Sequence, residues 1–102
     1  MKYNKLVRDK IPAIIRNNGA IPVTHVSNDA EYWEKLKDKL IEEVEEFLQE
    51  PSEEELADVL EVIDAICDVK RISKDKLEGI KKRKADERGR FRERIILDEV
   101  IP

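Results

Sequence analysis

Asp58, Glu61, Asp64 and Asp68 interrupt a run that is otherwise apolar: Leu56, Ala57, Val59, Leu60, Val62, Ile63, Ala65, Ile66 and Cys67. Spacings of three and four place such carboxylates along one side of a helix, and Glu55 extends the row toward its start. A helix that is apolar over most of its circumference belongs at the centre of a bundle. Burying carboxylates there without partners costs roughly several kcal/mol each. The row therefore requires solvent or cations, and this conflict restricts the chain more than any other feature of its sequence.

The remaining pattern is helical. Residues 11–17 read as a short helix, with Pro12 in its first turn and Gly19 just beyond its end. A long helix starts at Asn28, where Asn28 and Glu31 form a capping-box pattern. Leu36, Leu40, Ile41, Val44, Phe47 and Leu48 then recur at helical spacing until Pro51. Ser52 and Glu55 form a second capping box, which starts the acidic-striped helix that runs to about residue 69. Ser73 caps a third long helix over about 74–86, broken by Gly89. Pro22 interrupts residues 20–26, which read as an extended edge segment. Residues 95–100 read either as a short strand, whose partner is then 21–26, or as an irregular tail. The expected fold is an all-α bundle with two central antiparallel helices, in one domain spanning 1–102.

Composition supports this. The 102 residues are 43% charged and 5% aromatic, a mixture rich in helix formers. Net charge is −4, which disfavours a nucleic-acid binder. That average conceals an acidic stretch over 42–68 and a basic one over 70–94. The lone cysteine, Cys67, allows no disulfide within the chain and reads as a core residue in a reducing compartment. The charged opening lacks an apolar signal core, and no stretch approaches a membrane span, so the cytoplasm is expected and no membrane partner.

The helix before Pro51 supplies a second acidic set, Glu42, Glu43, Glu45 and Glu46. A short turn at Pro51–Ser52 would bring the two acidic rows face to face, as an all-oxygen site of the kind that selects Mg²⁺, Mn²⁺ or Ca²⁺ over Zn²⁺. Taken alone, the first row also reads as a solvated face, and Glu55 as the N3 residue of its capping box. Asp58 and Glu61, in the middle of the most apolar helix, resist that reading. His25 lacks a neighbouring nucleophile and reads as structural. Tyr32 and Trp33 read as packing anchors. No Cys/His zinc set and no glycine-rich phosphate loop is present. Lys81, Lys82, Arg83, Lys84, Arg88, Arg90, Arg92 and Arg94 form one basic cluster, and Lys5, Arg8 and Lys10 another. Either reads as a solvated face or as a phosphate contact, for which the forked donors of arginine are suited.

Glu42-Glu43-x-x-Glu46 followed by Glu55-x-x-Asp58 resembles the EExxE…ExxD signature of MazG-like, all-α nucleoside triphosphate pyrophosphohydrolases, with a spacing at the short end for that superfamily. The opening from Tyr3 to Pro12 resembles its phosphoribosyl-ATP pyrophosphohydrolase-like branch. The run from Lys84 to Phe91 is similar to that branch's C-terminal motif, with Arg90 where a second glycine often stands. The resemblance implies two central antiparallel helices that hold Mg²⁺, for which Mn²⁺ substitutes, in a homodimer or homotetramer. By matching position it makes Glu43, Glu46, Glu55 and Asp58 metal ligands, and Glu42 a further ligand or the base that orients water. Glu42 and Glu43 are then the catalytic pair, and Lys5, Arg8, Lys84 and Arg88 the phosphate contacts.

The expected reaction is Mg²⁺-dependent attack of water on the α-phosphorus of a nucleoside triphosphate, giving the monophosphate and pyrophosphate, as in the house-cleaning of nucleotide pools. Phosphoribosyl-ATP is an alternative substrate. A helical oligomer that keeps the metal site without turnover is a non-enzymatic alternative.

Overall fold

The computed structural model describes residues 3–102; the basic opening stretch begins at Lys2, outside the described residues. The chain is all-α, with helices α1 (Ile11–Asn17), α2 (Asp29–Gln49), α3 (Glu53–Lys70) and α4 (Lys74–Arg88). It divides into two units, one through Lys70 and one from Arg71 to Pro102. No helix among the described residues is long and apolar enough to cross a membrane.

The capping residues act as their positions predict. Asn28 Oδ1 accepts the backbone N–H of Glu31 at 2.9 Å and starts α2. Ser52 Oγ accepts that of Glu55 at 3.2 Å, and Ser73 Oγ that of Lys76 at 3.3 Å, at the starts of α3 and α4. Each satisfies an amide that the first helical turn leaves without a partner. Pro51 has no N–H to continue the ladder, so α2 stops before it and α3 begins two residues later.

That short turn folds α3 back on α2, and this helix pair is the centre of the first unit. Trp33, early in α2, lies under the ammonium of Lys70 at the end of α3, 4.0 Å from ring centre to Nζ, as an antiparallel pair requires. Leu36, Val59, Val62 and Cys67 form the buried apolar seam. α3 is not enclosed on all sides, as its composition predicts for a central helix: Leu56 and Leu60 stay 45% and 56% exposed. A single short unit has too few elements to cover both faces of a two-helix layer.

Residues 21–26 and 95–100 do not form strands; no strand occurs among the described residues. Ile21, Val23 and Val26 are almost fully exposed, as are Ile95 and Ile96. Branched side chains favour a strand only where a neighbouring strand and a packed face receive them, and Pro22 removes one ladder donor.

Candidate metal centre

Glu43 on α2 and Glu55 and Asp58 on α3 each bring a carboxylate oxygen to within 4.8 Å of the others. Their places follow from local structure. Glu43 is seven residues from Leu36, on the same side of α2, so it enters the seam. Glu55 and Asp58 are i and i+3 at the start of α3, just after the turn. Glu43 is buried, and Glu43 Oε2 and Glu55 Oε2 are sealed from solvent with no hydrogen-bond partner. Orphaned buried oxygens are rare and costly in folded proteins. Here they converge from three carboxylates, and a hard divalent cation with oxygen ligands fits that donor set.

Electrostatics describe a centre with too much negative charge. The Glu46 carboxyl titrates above its ordinary value, chiefly because of the charge on Glu43, with desolvation adding to it. Desolvation raises that of Glu55, with the charges of Asp58 and Glu43 adding to it. Glu42 is the exception. Partial burial pushes its carboxyl up, but Lys5 and Lys39 outweigh this and hold it below its ordinary value.

Three cations reach these carboxylates. Lys39 Nζ donates to Glu42 Oε2 at 3.1 Å and lies 3.3 Å from Glu43 Oε1. Lys5 Nζ donates to Glu42 Oε1 at 3.1 Å. Arg8 Nη2 donates to Asp58 Oδ1 at 2.7 Å. The segment that carries Lys5 and Arg8 is further tied to α2 where Lys35 Nζ donates to the Asn4 carbonyl at 2.9 Å.

Beside the carboxylates a cavity of about 540 Å³ opens between this segment and the helix pair. Arg8, Lys39, Glu43 and Asp58 line it, with Tyr32 and Asp64 farther along. Its volume lies in the range of small-molecule sites. The turn between the helices carries a larger, more open concavity of about 740 Å³, from Phe47 to Leu56, away from Arg8 and Lys39.

The structure thus gathers Glu42, Glu43, Glu55 and Asp58 with Lys5 and Arg8. Glu46 is exposed and stands outside the three-oxygen cluster, but one turn from Glu43 it is close enough for the charge and a side-chain hydrogen bond of Glu43 to raise its pKa. Lys84 and Arg88 lie on α4 in the second unit, both exposed. His25 is exposed and pairs with Glu31 at 2.8 Å. Lys39 is absent from the sequence reading, although its spacing of three and four from Glu42 and Glu43 signals contact.

An uncharacterized protein of Mycolicibacterium smegmatis is 52% identical to the chain over 42 residues, which covers 41% of this chain and 43% of that protein. The chain therefore matches less than half the length of that relative. No family model matches the chain, and no solved structure matches it significantly.

Proposed function

We propose that the α2–α3 centre binds Mg²⁺ or Mn²⁺ and that the chain hydrolyses a nucleoside triphosphate to the monophosphate and pyrophosphate. The observation that carries this reading is the convergence of Glu43, Glu55 and Asp58 oxygens within 4.8 Å, with two of these side chains holding a sealed, unpartnered oxygen. The acidic signature's resemblance to MazG-like pyrophosphohydrolases and the nucleotide-sized cavity beside the carboxylates support the same reaction.

In this reading Glu43, Glu55 and Asp58 hold the cation, with Glu46 completing the set as its side chain turns inward. The cation supplies charge neutralisation at the phosphates and polarises water. Glu42, kept anionic by Lys5 and Lys39, orients the attacking water by accepting its hydrogen bonds. Lys5 and Arg8 offset the charge of the leaving pyrophosphate. Lys84 and Arg88 are proposed as further phosphate contacts. The proposed assembly is a homodimer or homotetramer, in line with the exposure of Ile41, Val44 and Leu48 on α2 and of Leu56 and Leu60 on α3. The proposed compartment is the cytoplasm, where a lone thiol such as Cys67 stays reduced.

The test is pyrophosphate release from a panel of canonical and modified nucleoside triphosphates, with Mg²⁺, with Mn²⁺ and with chelator. Metal-dependent release with a monophosphate product supports the reading. Silence across the panel from folded protein, with phosphoribosyl-ATP included, overturns it.

A further inference from the structure

Lys5 and Arg8 arrive from an irregular segment rather than from the helix pair, and each sits on a carboxylate of the acidic centre. Arg8 takes Asp58, which belongs to the three-oxygen cluster. Lys5 takes Glu42, whose other oxygen is held by Lys39. Lys39 also lies against Glu43, while Glu55 brings a further carboxylate to the cluster.

The three cations differ in kind. Lys39 is anchored within α2, and its side chain is only 16% exposed. Those of Lys5 and Arg8 are 43% and 57% exposed, so either ammonium or guanidinium leaves its carboxylate at little desolvation cost. Arg8 and Asp58 both line the cavity, so the pair borders the space a ligand would fill.

We propose that Arg8 is an exchangeable counter-cation of the acidic centre: a divalent cation displaces it from Asp58, and the freed guanidinium is then recaptured by the polyphosphate of the ligand. This rests on reading the centre as a cation site. Two physical facts drive the exchange. A divalent ion repels a guanidinium bonded to one of its own ligands, and Arg8 and the ion compete for the lone pairs of the same carboxylate. A polyphosphate gives Arg8 a new anionic partner in place of Asp58, one that its forked donors can meet bidentately. Metal and nucleotide then bind with positive coupling, and that coupling is reciprocal. Arg8 weakens metal binding in the absence of nucleotide and strengthens it in its presence.

Calorimetric titration of the full chain with Mg²⁺ and with Mn²⁺ tests this, without nucleotide and with a non-hydrolysable α,β-methylene triphosphate. Arg8→Ala is expected to bind the metal alone roughly threefold to tenfold more tightly than wild type, as expected for loss of one partly exposed pair and one like charge. The same variant is expected to lose most of the nucleotide's enhancement of metal affinity, and Arg8→Lys to keep part of it. Equal or weaker metal binding by Arg8→Ala overturns the proposal while leaving the metal reading intact. Absence of metal binding in wild type and variants overturns both.

A measurement on the wild-type chain does not depend on the variants folding. The Arg8 Nε–H resonance is expected to shift toward a free guanidinium on addition of Mg²⁺ alone, and away from it again when the analogue follows. A resonance that ignores Mg²⁺ under saturating conditions overturns the exchange.

Discussion

Lys39 lies 3.3 Å from Glu43, so the buried carboxylate of the helix pair is paired with a half-buried ammonium one turn earlier on the same helix. Only one of the two Glu43 oxygens is served; Oε2 has no partner. Burial pushes the Lys39 ammonium toward losing its proton, but Glu42 and Glu43 outweigh this and raise its pKa. Lys39 is thus a fixed positive charge in the wall of the centre, unlike the two exposed cations on the preceding segment.

Lys39→Met keeps the aliphatic stem and removes the charge. It leaves Glu43 buried with no cation in contact, which costs about 1–3 kcal/mol for an unsatisfied buried group. Urea unfolding in chelator is expected to show that loss, and saturating Mg²⁺ to recover most of it, because a bound divalent cation takes over the same carboxylates. A loss unchanged by Mg²⁺ would place the role of Lys39 in packing alone.

Asp58→Asn keeps the size of the side chain but removes its charge, both from the cluster and from Arg8. The Asp58 side chain is 39% exposed, so the helical circular dichroism is expected to stay unchanged. Pyrophosphate release is expected to fall by more than about a hundredfold, beyond the effect typical of an outer-sphere partner. Turnover near the wild-type level in a folded Asp58→Asn protein would remove Asp58 from the ligand set.

The caps at Asn28, Ser52 and Ser73, the stop at Pro51 and all four helices were readable from local chemistry, because side-chain oxygens and a missing N–H act on residues a few positions away. That the acidic rows of α2 and α3 face each other was readable for a similar reason, helical spacing plus one short turn. Spacing alone reads Glu55 as a cap, however, and the set Glu43, Glu46, Glu55 and Asp58 was implied only by the resemblance, with Glu46 lying outside the three-oxygen cluster. What the pattern missed depends on the third dimension. Leu56 and Leu60 are apolar whether or not anything covers them, so composition overstated the burial of α3. Ile21, Val23 and Val26 have strand chemistry without a strand to join. Arg8 meets Asp58 across fifty positions of sequence, and no local rule carries that contact.

The pH dependence of stability in chelator is expected to turn over. Glu46 and Glu55 bind protons more tightly in the folded chain than at their ordinary value of 4.5. Their contribution is therefore fully present below about 4.5 and is lost as pH rises through their raised values. Glu42 has the opposite sign: its contribution is present above 4.5 and is lost as pH falls through its lowered value. Acidification from neutrality should first raise the melting temperature and then lower it. With Mg²⁺ the first rise should vanish, because protons then compete with the metal for the same oxygens. Identical profiles with and without Mg²⁺ would contradict a cation site at these carboxylates.

Gly89 ends α4 with φ +83° and ψ −178°, a backbone conformation open almost solely to glycine. A Cβ there meets nothing within 4 Å, so the penalty of a side chain is one of backbone strain alone. Gly89→Ala is expected to cost about 1–2 kcal/mol if the geometry is kept. The cheaper response is for the chain to turn differently after Arg88 and redirect the exposed Arg90, Arg92 and Arg94 that follow. If the basic segment contacts phosphate, the variant should raise KM for the triphosphate severalfold while its affinity for Mg²⁺ alone stays at the wild-type level. A change in metal affinity without a change in KM would tie Gly89 to the acidic centre instead, and unchanged kinetics would separate α4 and its C-terminal arginines from substrate binding.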